Sequence, residues 1–384
     1  MIIEVKGIQF VNKGAELMLH AILQQMRQRM PHAELALGPH RYSPYLSRAA
    51  VGAWQKVPLR KGRLDLNGLS YYIPARLRQW LKRNFGLLTE ADIDVIFDAS
   101  GFAYSDQWPE DNIRAMSAEI KRFSRHGKTY ILLPQAFGPF SRPDDIKLLQ
   151  TALPQAALIV AREQTSLEHI RTLIGDKPNM CQFPDFTNLV AGVLPEYYTN
   201  GQQNVLIIPN SNMLNKRNQH TQWQHTYLEV LLNAIMVIRA AGLTPVLLNH
   251  EVEQDAAICQ QLISQTAGNI ELITESDPLK VKGIIGASKA VICSRYHGCI
   301  SALSQGVPCL GTSWSHKYER LFDEYGQPEA LLSADISAGQ LQHKLQHVIN
   351  NAGSEQFVAR RAALKHQSEQ LWQTVAAVIP TDIN

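Results

Sequence analysis

Cysteine is scarce and unpaired in this sequence: five in 384 residues, at 181, 259, 293, 299 and 309, with no CxxC among them. That argues against a zinc ribbon or a disulfide-stapled scaffold and predicts reduced thiols in a cytoplasmic protein. Long apolar runs are missing too, since no stretch approaches the roughly 20 residues of a spanning helix. The opening Met-Ile-Ile-Glu-Val-Lys has too short an apolar run, and too much charge, for a signal peptide; it reads as a first strand. Neither charge dominates, because 37 Lys and Arg face 34 Asp and Glu for a net +3. So small a surplus makes no case for nucleic acid, although it leaves room for an anionic ligand. What is present is a globular composition. Hydrophobic residues make up 45% and exclude disorder, and the length predicts two or three domains.

Apolar strands alternate with helices almost throughout. Strands are expected at 2–6, 94–98, 129–133, 158–161 and near 180–184, with helices at 15–30, near 111–126 and at 166–174. The first helix follows from apolar side chains at Ala15, Met18, Ile22, Met26 and Met30, ended by Pro31. Thr165 and Glu168 have capping-box spacing for the third. A second series places strands at 205–208, 245–248, 270–273, 290–293 and 309–311. Its helices fall at 221–241, 253–267, 278–286, 299–305, 317–325, 337–351 and 355–377. Asp277-Pro278 reads as an N-cap and first helical residue, and Gly242 as a helix stop.

This pattern predicts an α/β fold of two Rossmann-like domains, each a parallel sheet covered on both faces. The polar, turn-rich stretch 194–204 marks the seam. An N-terminal domain would span 1–195, with a basic insertion at about 55–90. A C-terminal domain would span 203–335, and helices at 336–384 would pack back on the first. Ligands in such folds bind outside the carboxyl ends of the strands, so a cleft between two such edges is the expected site.

The residues just past those strands are therefore the candidates. The first strand leads to Asn12, Lys13, Gly14 and Glu16, the second to Ser100-Gly101, and the third to the segment from Pro134-Gln135 to Gly138-Pro139. Further along come Arg162-Glu163, then Asn210, Ser211 and Asn212, then Asn249-His250, and finally Ser294-Arg295-Tyr296-His297-Gly298. Two arginines and a histidine at strand ends suit a phosphate or carboxylate, which guanidinium grips bidentately while staying charged. Arg295 and His297 would address one ligand if their segment is extended, and Gly298 would let a helix begin close by. The blander reading is a structural salt bridge and a core histidine.

Several pieces, in this order and spacing, resemble the polysaccharide pyruvyl transferase family. They are the Asn12-x-Gly14 loop, the Pro134–Pro139 segment, Ala161-Arg162-Glu163 with Ser166, Asp185, and the block from Arg295-Tyr-His297-Gly298 through Gly306-Val-Pro308 to Lys317. Many members carry Asp after the early Gly, where this chain has Ala15 and then Glu16. The resemblance implies a fold like the GT-B glycosyltransferases with its site in the interdomain cleft. It implies phosphoenolpyruvate as donor, a pair of sugar hydroxyls as acceptor, and a pyruvate ketal as product, in making bacterial exopolysaccharide or cell-surface glycan. It also implies donor binding and chemistry at Arg162, Arg295 and His297. A near-neutral acid/base such as His suits proton delivery to the methylene carbon, and neither a metal nor a cofactor is required.

Other positions carry weaker expectations. Asn12, Gly14, Gly101, Gln135, Gly138 and Gly298 could line the substrate site or serve only turns. Asn210, Ser211 and His250 could touch the sugar, and Asn249, Glu251 and Asp255 could do so or merely cap a helix. Lys317 could add positive charge, and Glu16 and Glu163 pair with arginines or cap helices. A nucleotide-sugar glycosyltransferase would need a ribose carboxylate, for which Glu319 or Asp323 could serve; a non-catalytic sugar-binding relative is the third class. Between Lys56 and Arg83 lie eight basic residues and one acid, Asp65. The stretch 74–85 interleaves them with Leu77, Trp80, Leu81 and Phe85 at helical spacing. Such a helix could rest on an anionic inner membrane leaflet, suiting a lipid-diphosphate-linked acceptor, or could bury an apolar stripe beneath a solvated basic face.

Overall fold

The chain begins in the middle of its first sheet. In a computed structural model, which describes all residues except 216–217, 219, 252–254, 267–268 and 381–384, the chain divides into two units. One comprises Met1–Phe10, Met18–Phe186 and Gln367–Asn384, the other Val11–Leu17 and Thr187–His366.

The first unit contains β1 (Ile2–Lys6), β2 (Glu34–Leu37), β3 (Trp54–Lys56), β4 (Arg60–Lys61), β5 (Leu64–Asp65), β6 (Leu87–Leu88), β7 (Val95–Asp98), β8 (Thr129–Gln135), β9 (Leu158–Ala161) and β10 (Met180–Gln182). Eight of them form one sheet in the order β10-β9-β8-β7-β1-β2-β3-β6, while β4 and β5 make a small hairpin. Pairing within the large sheet is parallel throughout. Helices α1 (Lys13–Arg29), α2 (Tyr45–Ala50), α3 (Ala75–Phe85), α4 (Glu110–Arg125), α5 (Pro143–Ala152) and α6 (Gln164–Ile174) connect the strands.

Strands β7, β8 and β9 are buried along their whole length, as parallel strands covered on both faces must be. Against them α4 lays Ile113, Met116, Ile120 and Phe123, all buried and spaced to share one face. Strand order reverses on either side of β1, so the loops after β1 and β7 flank a switch point. Gly7 there has φ +80°, and a Cβ on it would collide with the Ser100 backbone.

The second unit holds β11 (Asn204–Ile208), α7 (Trp223–Ala240), β12 (Thr244–Asn249), α8 (Ala256–Gln265), β13 (Glu271–Thr274), α9 (Pro278–Ala287), β14 (Ala290–Cys293), α10 (Tyr296–Gln305), β15 (Cys309–Gly311), α11 (Lys317–Glu324) and α12 (Ala338–Asn350). Its five parallel strands run β13-β12-β11-β14-β15, with the switch between β11 and β14. The last helix, α13 (Glu355–Val378), carries Trp372. That side chain is fully buried and meets Phe97 and Phe186 edge-on at 6.2 and 5.8 Å, within the first unit.

Three local expectations need correction. Helix α6 starts at Gln164, capped by Glu163, whose carboxylate accepts from the Ser166 N–H; Thr165 and Glu168 are not its cap. Helix α10 starts at Tyr296, three residues earlier than expected. The strands β2, β3 and β6, the β4–β5 hairpin and the helices α2 and α5 were not anticipated; β2, β3 and β6 span only two to four residues each, too few to show a period. Part of the expected helix 253–267 lies outside the described residues.

A buried ionic cluster stitches β1, β3 and α4 together. Lys56 Nζ lies 2.5 Å from Glu4 and 3.2 Å from Glu119, and Lys6 also pairs with Glu119. Burial alone would raise the Glu119 pKa, but Lys6 and Lys56 outweigh it and hold the carboxyl well below the usual range. A carboxyl depressed in this way contributes stability that is complete above the ordinary carboxylate pKa and is lost as pH falls through its native value. Glu119→Gln leaves the buried Lys56 and the half-buried Lys6 facing one carboxylate and should lower unfolding stability by about 3 kcal/mol at pH 7. Denaturant melts should also show the difference from wild type shrinking below about pH 4. An unchanged melt at neutral pH would remove the cluster from the account of this fold.

Candidate active site

The carboxyl edge of the second sheet gathers the densest set of charged and hydrogen-bonding side chains around one arginine. Strand β14 ends at Cys293, and Arg295 follows with extended backbone as the N-cap of α10. Its guanidinium is buried. Nε and Nη2 lie 2.8 and 2.5 Å from the two carboxylate oxygens of Asp255, and Nη1 pairs with Glu251. Burial disfavours the charge, yet Asp255 and then Glu251 outweigh it and hold the pKa above its ordinary value. The bidentate partner, Asp255, is fully buried, whereas Glu251 retains some exposure and touches a single nitrogen.

The strand ends next to Arg295 brace it. Asn210, past β11, donates from Nδ2 to the Ser294 carbonyl at 2.8 Å and accepts the Asn212 N–H at 2.9 Å. The Ser211 N–H donates to Asp255 at 2.9 Å. Tyr227 and Thr312 donate their hydroxyls to Ser294 Oγ at 2.6 and 2.8 Å, and the Tyr318 hydroxyl donates to the Ser294 carbonyl at 2.8 Å. Asn210 and Ser211 thus fix the loop that carries Arg295. A Cβ on Gly298 would stand 2.6 Å from Cys293 Sγ, which explains why a helix can start so tightly there.

His297 is set by α10, because Tyr296 already begins the helix; the expectation of an extended Arg295-x-His297 pair is corrected on this point. Its ring meets Tyr296 edge-on at 5.5 Å. The Asn12-x-Gly14 loop packs on the same place. A Cβ on Gly14 would come within 2.5 to 2.8 Å of the His297 imidazole, so only glycine admits this approach. Asn12 accepts the Gly14 and Ala15 N–H groups through its side chain at 3.0 and 3.3 Å, and bridges Glu251 through its backbone. Lys13 is buried and pairs with Glu16 at 2.7 Å.

His250, just past β12, is buried, and its Nδ1 has no hydrogen-bond partner among the described residues. Burial, then the positive charge of Arg295, His297 and Lys13, holds its pKa well below the ordinary value. Lys317 closes the set. Its ammonium lies 4.5 Å from the Trp314 ring centroid, 5.3 Å from Tyr296 and 5.6 Å from Tyr318. The nearby thiols Cys293 and Cys299 are pushed well above their usual range by burial, which removes them as thiolate nucleophiles.

Arg162, Gln135, Gly138 and Gly101 belong to the first unit, at the carboxyl ends of its strands. Arg162 is buried, with Nη1 3.4 Å from Asp185, so these two members of the sequence pattern meet. Gln135 is fully buried, reaches the Asp98 carbonyl with Nε2 at 3.4 Å, and leaves Oε1 without a partner among the described residues. The Pro134–Pro139 segment and the Ser166 turn are one unit, since the Phe137 N–H donates to Ser166 Oγ at 2.7 Å. Gly138 has φ +76° and abuts His169, while Gly101 has φ +69°. Glu319 and Asp323 lie exposed on α11, paired with His220 and Arg320.

Sequence reasoning passed over Asp255 and Glu251 as partners of Arg295, and over Lys13 as a neighbour of His250. Two acids four apart after β12 were the available signal. It also missed a cavity of about 190 Å³ at the carboxyl ends of β1 and β2, lined by Lys6, Gly7, Gly38, His40 and Ser43 among others.

Solved structures place this architecture among known folds. A Listeria monocytogenes protein assigned as a UDP-N-acetylglucosamine 2-epimerase superposes with a TM-score of 0.60 at 11% identity, covering 98% of this chain and 95% of its own. The Neisseria meningitidis UDP-GlcNAc 2-epimerase bound to UDP-GlcNAc gives 0.57 at 8% identity, with 98% and 99% covered. A glycosyltransferase from Rickettsia africae gives 0.53 at 10%, with 98% and 95% covered. The fold is thus the two-domain Rossmann-like GT-B fold expected from the strand and helix order. No curated protein matches the chain in sequence. The family description Polysaccharide pyruvyl transferase matches residues 12–316, from the Asn12 loop through the Arg295-Tyr-His297 block; the chain belongs to the polysaccharide pyruvyl transferase family.

Proposed function

We propose that this protein transfers the pyruvyl group of phosphoenolpyruvate onto two hydroxyls of a sugar, forming a pyruvate ketal and releasing phosphate, in the assembly of an exopolysaccharide or cell-surface glycan. The observation that carries this reading is the set of Lys13, His250 and Arg295, all buried, with the half-buried His297, gathered by the Asn12-x-Gly14 loop and the carboxyl ends of β12 and β14. Buried cationic and imidazole side chains on rigid strand ends suit a small, multiply charged anion.

The chemistry balances without a metal or cofactor. His297 gives a proton to the methylene carbon of the donor, which becomes a methyl group. A sugar hydroxyl adds at the neighbouring carbon and its proton restores His297. The bond from that carbon to the phosphate oxygen breaks, the second hydroxyl closes the ring, and its proton leaves with phosphate. Arg295 and Lys317 offset charge as phosphate departs. Arg162, in the first unit, is a further residue whose replacement should cost turnover. The acceptor is read as a carbohydrate, whether free or attached to a lipid diphosphate.

Glu251 holds the place at Arg295 Nη1 that an anion oxygen would take. Asp255 keeps the guanidinium oriented when Glu251 gives way. Glu251→Gln should therefore lower the KM for phosphoenolpyruvate severalfold with kcat little changed; a raised KM would make Glu251 part of the binding surface instead.

The direct test is incubation with phosphoenolpyruvate and a panel of sugar acceptors, following phosphate release and a product gaining one pyruvate less one water. His297→Asn should cut kcat by 10²–10⁴ while the thermal melt stays near wild type. Wild-type turnover in that variant would remove the proton-transfer role. Failure of the wild-type protein to bind phosphoenolpyruvate would overturn the donor assignment.

A further inference from the structure

Helix α3 is attached to its unit with its polarity reversed. It buries no residue fully. The side chains it turns inward are the half-buried Leu81 and two charged ones: Arg78 lies 2.5 Å from Asp92, and Lys82 reaches Glu34 at 2.8 Å while stacking on Trp54 at 4.9 Å. The side chains it turns outward include its larger apolar ones, Leu81 excepted. Leu77 is 47%, Trp80 50% and Phe85 58% exposed, and the last two rings touch edge-on at 5.1 Å. Arg76, Leu77, Trp80, Arg83 and Asn84 are all exposed at helical spacing and so share one face. This overturns the reading of an ordinary helix with a core stripe and a solvated basic face.

The preceding segment continues the theme. Leu64, Leu66, Leu69 and Tyr72 are exposed, as are Lys61 and Arg63. Between residues 57 and 89 the one acid is Asp65, which is held by Arg122 at 2.8 Å. The outward surface of these segments is therefore apolar and aromatic, and their own exposed charges are all positive, with Asp111 beside Arg63 at 3.9 Å.

We infer that this surface, α3 with residues 61–72, docks the protein on an anionic phospholipid bilayer. Trp and Tyr at the headgroup level, leucines below it, and arginines meeting lipid phosphates are the chemistry such an interface selects. A second copy of this chain fits less well. A symmetric pairing of this face would set Arg76 and Arg83 against their own copies, and its one neighbouring acid, Asp111, already faces Arg63 at 3.9 Å. No helix among the described residues is long and apolar enough to cross a membrane, so this contact lies along the surface. It would hold the enzyme where a lipid-carried acceptor resides, yet it can be measured independently of the chemistry above.

The test is co-sedimentation of the purified full-length protein with phosphatidylcholine vesicles with or without 30% phosphatidylglycerol (roughly the anionic content at which electrostatic attraction is strong). Binding should require the anionic lipid and weaken steeply from low to physiological salt. Arg76→Glu with Arg83→Glu should weaken it by an order of magnitude or more, and Trp80→Ser with Leu77→Ser should do likewise. Because these side chains are exposed, turnover on a soluble acceptor and the thermal melt should stay at wild-type values. Absence of vesicle binding, or equal binding to neutral and anionic vesicles, would overturn the inference. So would a dimer in solution that Trp80→Ser dissociates, which would assign the face to a second copy.

Discussion

Arg295 carries a full charge with almost no access to water, and a charge so placed must be paired. That requirement organises the second unit. Asp255 supplies the bidentate partner and in turn takes the Ser211 N–H. Glu251 supplies the third contact and is itself bridged by Asn12, which brings the Asn12-x-Gly14 loop against His297. The loops after β11, β12 and β14 are thus held to one another through a single guanidinium. The first unit obeys the same rule at Arg162 with Asp185, and at Lys6 and Lys56 with Glu4 and Glu119.

The arrangement also explains why side chains that look like ligand groups in sequence do structural work. Asn210 gives its amide to the Ser294 carbonyl, while the Ser211 backbone N–H holds Asp255. Gly14 and Gly298 are needed because His297 and Cys293 fill the space a side chain would take. Preorganisation of this kind keeps a reacting group in place without reorganisation during the reaction. Two groups then face a ligand most directly: the His250 imidazole, whose Nδ1 has no hydrogen-bond partner among the described residues, and the Arg295 nitrogen that Glu251 covers.

Much of this was legible in the residue order. Continuous apolar strands separated by helices announced two parallel sheets, and the strand-end rule located Arg162, Arg295 and His297. What stayed hidden depends on distance in the chain. Nothing local says that Asp255 will meet Arg295, forty residues on, or that Lys56 on β3 will meet Glu119 on α4. The extended pairing of Arg295 and His297 was a local misreading, because Gly298 lets α10 begin one residue after Arg295. Helix α3 shows a further limit. Periodicity reveals that Leu77 and Trp80 share a face with Arg76 and Arg83, but which way that face turns is decided by Glu34, Asp92 and Trp54 on other elements.

The central claim is that the cluster around Arg295 and His297 adds sugar oxygen to the donor carbon, and that phosphate departs with the oxygen that joined it to that carbon. Phosphoenolpyruvate labelled with oxygen-18 at this bridging position tests it directly, with mass analysis of both products after turnover with an accepted sugar. The account predicts the label in inorganic phosphate and a ketal product free of it. Label retained in pyruvate or in the sugar product would mean that the phosphorus–oxygen bond breaks instead, and would contradict it.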